Sequence, residues 1–249
     1  MGAIHNSAAT GYDKQASSYV AGRPSYHPDI VDAIALLARG GRVIDLGAGT
    51  GISTVMLVDR GLDVVAVEPV DAMRAALQDA LPTVTAMAGT ASSMPVDDAS
   101  ASLVLVGQAF HWFDHGPALD EISRVLVAGG SLVTLWNVRD HSVSWVSRYT
   151  EIIDRHQGDT PRHRTMDWRR AIEADERFAL DHELRTSNPH PTSSEGVVDR
   201  VRSTSFIAAL DDDTRSAVED DIRDLVAPLG KSFDYPYVTE AEIWTLTDR

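Results

Sequence analysis

Three glycines spaced two residues apart, Gly47, Gly49 and Gly51, follow an apolar run that ends Val43-Ile44-Asp45-Leu46. A turn without Cβ atoms bends sharply and lets a ligand lie against its backbone before a helix begins near Ser53. Asp45 stands at the carboxyl end of the strand, where open α/β sheets hold their ligands, and its carboxylate suits a cationic group better than a phosphate. A dinucleotide fingerprint requires Gly-x-Gly-x-x-Gly; here the third glycine arrives one residue early and Ile52 takes the expected place. A second acid, Glu68, ends the run Val64-Val65-Ala66-Val67. It falls at nearly the ~20-residue interval that sets a carboxylate beside a ribose diol, with two oxygens for two hydroxyls.

A third cluster follows another apolar run, Leu103-Val104-Leu105-Val106, whose carboxyl edge carries Gln108-Ala109-Phe110-His111-Trp112-Phe113-Asp114. Its aromatic faces attract cations, and His111 is the one side chain in the cluster able to take a proton near neutral pH. Equally, His111 serves as a structural residue that orders the loop. Arg139 and His141 come just after the fifth predicted strand, and a guanidinium there suits an acidic ligand. The nine histidines are scattered and nominate no metal.

These groups need a frame. At 249 residues and 43% apolar composition the chain is long enough for a sizeable core, and one domain over 1–249 is expected. Acids outnumber bases 37 to 22, a formal charge of −15 with no basic block, which disfavours nucleic acid and anionic membranes as partners. With no cysteine, disulfides, thiolate metal sites and a thiol nucleophile are excluded. No apolar run approaches the ~20 residues of a membrane span and no leader pattern opens the chain, so a cytoplasmic monomer or homodimer is expected.

The pattern predicts a small-residue arm over Met1 to Ser18, turning helical toward Tyr19, and a helix from Pro28 to Ala38. Strands and helices then alternate: Arg42 to Leu46, Ser53 to Asp59, Val64 to Glu68, Asp71 to Ala80, Thr83 to Ala88, Leu103 to Gln108, Pro117 to Leu126, and Ser131 to Trp136. Ala128-Gly129-Gly130 reads as the hinge between the last helix and strand. Such alternation means a parallel sheet covered by helices. Beyond Asn137 helices are predicted over Val143 to His156 and Asp167 to Ala174, and strands over Phe178 to Thr186 and Val238 to Thr247. Between these strands lie two more helical patterns, Glu195 to Ser203 and Asp213 to Val226, the second with Val218, Ile222 and Leu225 on one face. That segment reads either as a lid or as a surface excursion.

Asp45 to Gly51, Glu68-Pro69, Met73, Gly89-Thr90-Ala91-Ser92-Ser93-Met94-Pro95 and the Gln108 to Asp114 cluster, taken in order, resemble the class I S-adenosylmethionine-dependent methyltransferases. Within these the chain is similar to the type 11 small-molecule branch that includes trans-aconitate methyltransferase-like enzymes. The resemblance implies an α/β, Rossmann-like, seven-stranded, mostly parallel sheet with helices on both faces and a helical insertion between the last two strands. Residues 190–232 would form a lid and 1–27 an arm over the cofactor. It further implies that Gly47 and Gly49 lie against the methionine part of S-adenosylmethionine, with Asp45 near its amino group. Glu68, beside Pro69, would hold the ribose, Met73 would face the adenine, and Ala91 and Ser92 would border its edge. Ser92 stands where many relatives carry an acid, and Met73 competes with a plain core role. Tyr19 and Arg23 match an aromatic and basic pair over the cofactor, and Gln108 joins them from the fourth strand. His111, Trp112, Arg139 and His141 would face a small-molecule acceptor, since the Asn/Asp-Pro-Pro-Tyr tetrad of nucleobase amino methyltransferases is missing. The expected reaction is methyl transfer that leaves S-adenosylhomocysteine; a nicotinamide-dependent oxidoreductase and a non-catalytic cofactor-binding protein are the alternatives.

Overall fold

Pro28 fixes the φ of a first helical turn and has no N–H to leave unpaired, while His27 Nδ1 accepts a hydrogen bond from Asp29 N at 3.3 Å. In a computed structural model that describes residues 24–38, 40–158 and 163–247, these residues open α1 (Pro28–Leu37). A strand–helix alternation follows: β1 (Val43–Leu46), α2 (Ile52–Val58), β2 (Val64–Val67), α3 (Asp71–Ala80), β3 (Thr85–Met87), β4 (Ala101–Gly107), α4 (His115–Val125) and β5 (Leu126–Arg139). Next come α5 (Ser144–Asp154), α6 (Asp167–Glu173), β6 (Phe178–Ser187), β7 (His190–Thr192), α7 (Ser194–Arg202), α8 (Ser205–Ala208), α9 (Asp212–Val226), β8 (Phe233–Tyr235) and β9 (Tyr237–Leu246).

Seven strands form one sheet in the order β3-β2-β1-β4-β5-β9-β6. The strands from β1 to β5 pair in parallel, and β9 runs antiparallel between β5 and β6. The expected seven-stranded, mostly parallel sheet is therefore what forms. Side chains alternate between faces along each strand. Ile44, Val104 and Leu132 join Leu119 and Ile122 of α4 and Trp168 of α6 on one face, whereas Val43, Leu103 and Val133 join Ile30, Ile34 and Leu57 on the other. Both faces being covered explains why the strands read as unbroken apolar runs. Asp45 shares the face of Val43, so its carboxylate points to the side where α2 lies.

The chain between β6 and β9 has its own apolar cluster: Val197, Val198 and Val201 of α7 and Val218, Ile222 and Val226 of α9 meet Val146, Tyr149 and Ile153 of α5. Leu225 is half-buried against the same cluster. Ser193 caps α7 by accepting from Gly196 N at 3.2 Å, Asp211 caps α9 by accepting from Thr214 N at 2.9 Å, and Arg202 joins the two helices by donating twice to Glu219, at 2.9 and 2.7 Å. Two features were not predicted. The ribbon of β7 and β8 pairs His190 with Tyr235 and Thr192 with Phe233, closing the segment at its base. The Ala128-Gly129-Gly130 stretch, rather than being a hinge after a helix, is an irregularity within β5: pairing slips from Ala101↔Leu126 to Leu103↔Ser131, and Gly129 takes φ +69°. The helix before it ends at Val125, sooner than the predicted Leu126.

Candidate functional site

The strand order reverses between β1 and β4, and the crevice outside their carboxyl ends is where such sheets bind ligands. Gly47, Gly49 and Gly51 all take left-handed φ values, +71°, +58° and +93°, which L side chains avoid. A Cβ on Gly47 would lie 3.0 Å from Ala109 Cβ, so the loop leaves no space for a side chain there. Glu68 closes the turn from the adjoining strand: Oε2 accepts from Gly49 N and Oε1 from Val70 N, both at 2.9 Å. One backbone bond per oxygen leaves each able to accept another, as a vicinal diol requires. Burial, followed by the nearby Asp45 charge, raises the Glu68 pKa against the lowering effect of those amides.

Asp45 lies beneath this loop, with no exposed surface. Its Oδ2 accepts from Ser53 Oγ at 2.8 Å and Thr54 Oγ1 at 2.6 Å, tying the strand to the first turn of α2, while Oδ1 is buried with no hydrogen bond. Burial pushes its pKa up to about 6. A buried acceptor without a donor is costly, and beside a glycine cradle it fits a ligand that brings positive charge. Two acids and a glycine-rich loop thus suit S-adenosylmethionine, whose sulfonium and ammonium are cationic and whose ribose offers two hydroxyls.

An open cleft runs from the glycine loop past Gly107 and Gln108 to Asn137, Arg200 and Tyr237. Gln108 adopts φ +58°, a strained conformation for a residue with a side chain, and its Nε2 donates to Asn137 O at 3.1 Å. Asn137 is a junction: Nδ2 donates to Pro24 O at 3.0 Å and Ser25 O at 3.2 Å, and Oδ1 accepts from Thr239 Oγ1 at 2.6 Å and Asn188 Nδ2 at 3.2 Å. A Cβ on Gly107 would stand 2.8 Å from Tyr26 Oη, so only glycine lets Tyr26 close that wall.

Gly47, Gly49 and Gln108 of the sequence reading line this cleft, and Glu68 is buried behind it, joined to Gly49 N. Met73 is buried, its sulfur 3.9 Å from the position of a Cβ on Gly49. Pro69, Ala91 and Ser92 are half-buried, with Ser92 Oγ 3.3 Å from Thr90 Oγ1. His111 sits in a short 3-10 turn, Phe110–Trp112, its ring centroid 4.8 Å from Trp112 and 5.4 Å from Trp136. Arg139 stacks over the Tyr149 ring at 4.9 Å, and His141 is exposed close by, its pKa lowered by partial burial and then by Arg139. Tyr19 and Arg23 fall outside the described residues. Sequence reasoning missed Tyr26, Asn137, Arg200 and Tyr237. Asn137 was visible only as the place where the pattern changes, and Arg200 and Tyr237 carry no local signal, because the fold-back of α7 and the start of β9 bring them to the cleft.

Similarity to known proteins points the same way. A methyltransferase-domain family model matches residues 44–134, the stretch that holds the glycine loop, Glu68 and the β4 cluster. An uncharacterized methyltransferase of Mycobacterium tuberculosis is 40% identical over 84% of this chain and 83% of its own length, and an uncharacterized methyltransferase-like protein of Schizosaccharomyces pombe is 35% identical over 61% of each. Among solved structures, a putative type II methyltransferase from Anaeromyxobacter dehalogenans superposes with a TM-score of 0.65 at 20% identity, covering 90% of this chain and 97% of that one. The chain belongs to the class I S-adenosylmethionine-dependent methyltransferases.

Proposed function

We propose that the protein transfers the methyl group of S-adenosylmethionine to a small-molecule acceptor held between the carboxyl ends of β4 and β5 and the 190–232 segment, which acts as a lid over one domain. When bound, the cofactor supplies a methyl carbon on a positively charged sulfur, which departs as a neutral thioether when an acceptor lone pair attacks in line. Gly47 and Gly49 admit the cofactor's methionine part against the backbone, Asp45 Oδ1 balances its positive charge, and Glu68 receives the ribose hydroxyls. Met73, Ala91 and Ser92 border the adenine, with Pro69 at the turn. The leaving group is already good, so what falls to the protein is alignment and exclusion of water. Gln108, strained and anchored on Asn137, is placed to fix the acceptor side of that line. His111 takes the proton where the acceptor is a hydroxyl, amine or activated carbon, and a carboxylate acceptor needs no base. The −15 charge of the chain supports a small molecule over a nucleic acid.

The observation that carries this reading is the Glu68 carboxylate, held by Gly49 N and Val70 N with acceptor capacity to spare. Calorimetric titration of wild type and Glu68→Ala with S-adenosylhomocysteine tests it. The variant loses about 1 to 3 kcal/mol of binding, the cost of hydroxyls left unpaired. Equal affinity in the two proteins, or tighter binding of NADH, refutes the placement.

A further inference from the structure

Among the described residues, two cationic side chains of this acidic protein form no ion pair with a carboxylate. Among the described residues the other arginines, apart from the exposed Arg155, each hold a carboxylate in an ion pair. Arg139 and Arg200 hold none, although acids outnumber bases 37 to 22 in the chain. Among the described residues Arg139 Nε is buried with no hydrogen bond, and its guanidinium lies 4.9 Å over the Tyr149 ring. Arg200 donates only to neutral oxygens, Tyr237 Oη at 3.2 Å and Ser203 Oγ at 3.3 Å. Asp154 acts on Arg139 through its charge but is itself ion-paired with Arg164 at 2.5 Å.

Both guanidiniums are partly withdrawn from solvent, and the positive charge of Arg139 opposes that of Arg200. They come from separate parts of the fold, Arg139 from the end of β5 and Arg200 from α7. Tyr237 joins them: it sits opposite Arg139 in the β5–β9 register and accepts from Arg200. Tyr149 and Tyr235 complete the wall, with ring centroids 5.7 Å apart, and Tyr235 stacks on Tyr237 at 4.6 Å. Both arginine side chains are half-buried rather than sealed, and Arg200 and Tyr237 line the same cleft as the glycine loop. Two neighbouring guanidiniums without an ion pair of their own, one of them lining a ligand cleft, are costly unless something supplies further counter-charge, and a guanidinium fork matches an oxyanion in two-pronged fashion.

We infer that Arg139 and Arg200, with Tyr237 between them, form an oxyanion subsite, and that the acceptor carries a carboxylate or phosphate group anchored there. The inference rests on the methyl-transfer reading of the adjoining cleft. By bridging β5 to α7, the bound anion also draws the 190–232 segment onto the sheet.

The test uses the full chain saturated with S-adenosylhomocysteine, with succinate and inorganic phosphate as probes and the uncharged succinamide as control. Thermal unfolding and calorimetry are the readouts. Succinate or phosphate raises the melting temperature of wild type while succinamide does not, and whichever oxyanion acts identifies the group. Arg139→Gln and Arg200→Gln each weaken anion affinity by about tenfold or more, the worth of a charged hydrogen bond, and Arg200→Lys recovers part of it. Without anion, Arg139→Gln melts no lower than wild type, because a like-charge contact has been relieved; an arginine with a purely structural role would lower it. An anion response unchanged in both variants, or none in wild type, overturns the subsite. Wild-type titration with S-adenosylhomocysteine separates the two claims, since failure there removes the methyl-transfer reading and success leaves only the subsite in question.

Discussion

The two ends of the cleft are built from opposite charges and by opposite means. At the β1–β2 end two carboxylates are buried, and most of their oxygens are engaged by backbone amides or hydroxyls within a few residues of the glycine loop. At the β5–β9 end two half-buried guanidiniums hold no carboxylate in an ion pair among the described residues, delivered by a strand end and by a helix some sixty positions later. One edge of a single sheet is thereby polarised, acidic where a sulfonium donor belongs and basic beyond it. An anionic acceptor and a cationic donor would each be drawn to its own end. On that reading, segregation of charge rather than any one residue would set the direction of approach.

Loosening the cap breaks this contrast most strongly. Ile222 has no exposed surface in the α5–α7–α9 cluster, so Ile222→Ala costs about 2 to 5 kcal/mol. Hydrogen exchange should rise across 190–232 and acceptor turnover should fall, while S-adenosylhomocysteine affinity stays within about twofold of wild type, as for sites that do not touch. Equal damage to cofactor binding would mean that the two ends are not separable.

Next in size is the burden of the buried acid. The folded state holds the Asp45 proton more tightly than the unfolded chain does, since burial moves its pKa from the ordinary 3.8 to about 6. Stability from this group is therefore full below about pH 4 and is lost as pH rises through about 6, roughly 3 kcal/mol in all. Asp45→Asn keeps an acceptor for Ser53 and Thr54 and cannot ionise, so its chemical denaturation midpoint should vary less between pH 4 and pH 6 than that of wild type. Parallel profiles for the two proteins would show that the charge is compensated in the folded state.

The smallest effect is expected at His111. With its ring against Trp112 and Trp136, His111→Ala should keep cofactor affinity and lose less than about tenfold in turnover, whereas a loss near 100-fold would make it an obligatory base. That number sharpens the comparison, because it tells whether the turn after β4 contributes chemistry or only shape.

The same division decided what could be read from the sequence. The donor end is contiguous: a strand, a glycine turn and an acid one strand later fix one another through local backbone geometry, so Asp45, the glycines and Glu68 were legible without coordinates. The strand–helix alternation was legible too, because strands buried on both faces leave unbroken apolar runs. The acceptor end is tertiary. Arg200 looks like any helical arginine until α7 folds against β9, and Asn137 shows its four side-chain partners only once residues 24–25, 188 and 239 converge on it. The strained φ of Gln108 has no residue-type signature, and ribbon strands of three residues, one containing Pro191, fall below any periodicity.

That ribbon has a practical consequence. His190 pairs with Tyr235, so the excursion between them departs from and rejoins the scaffold at one point, like a drawer fitted to a cabinet. Its hydrophobic interior is largely its own, shared chiefly with α5. Grafting the corresponding stretch of a relative at these two positions demands little new loop closure, and on the proposed reading it would exchange acceptor preference as a cassette while leaving the donor machinery untouched.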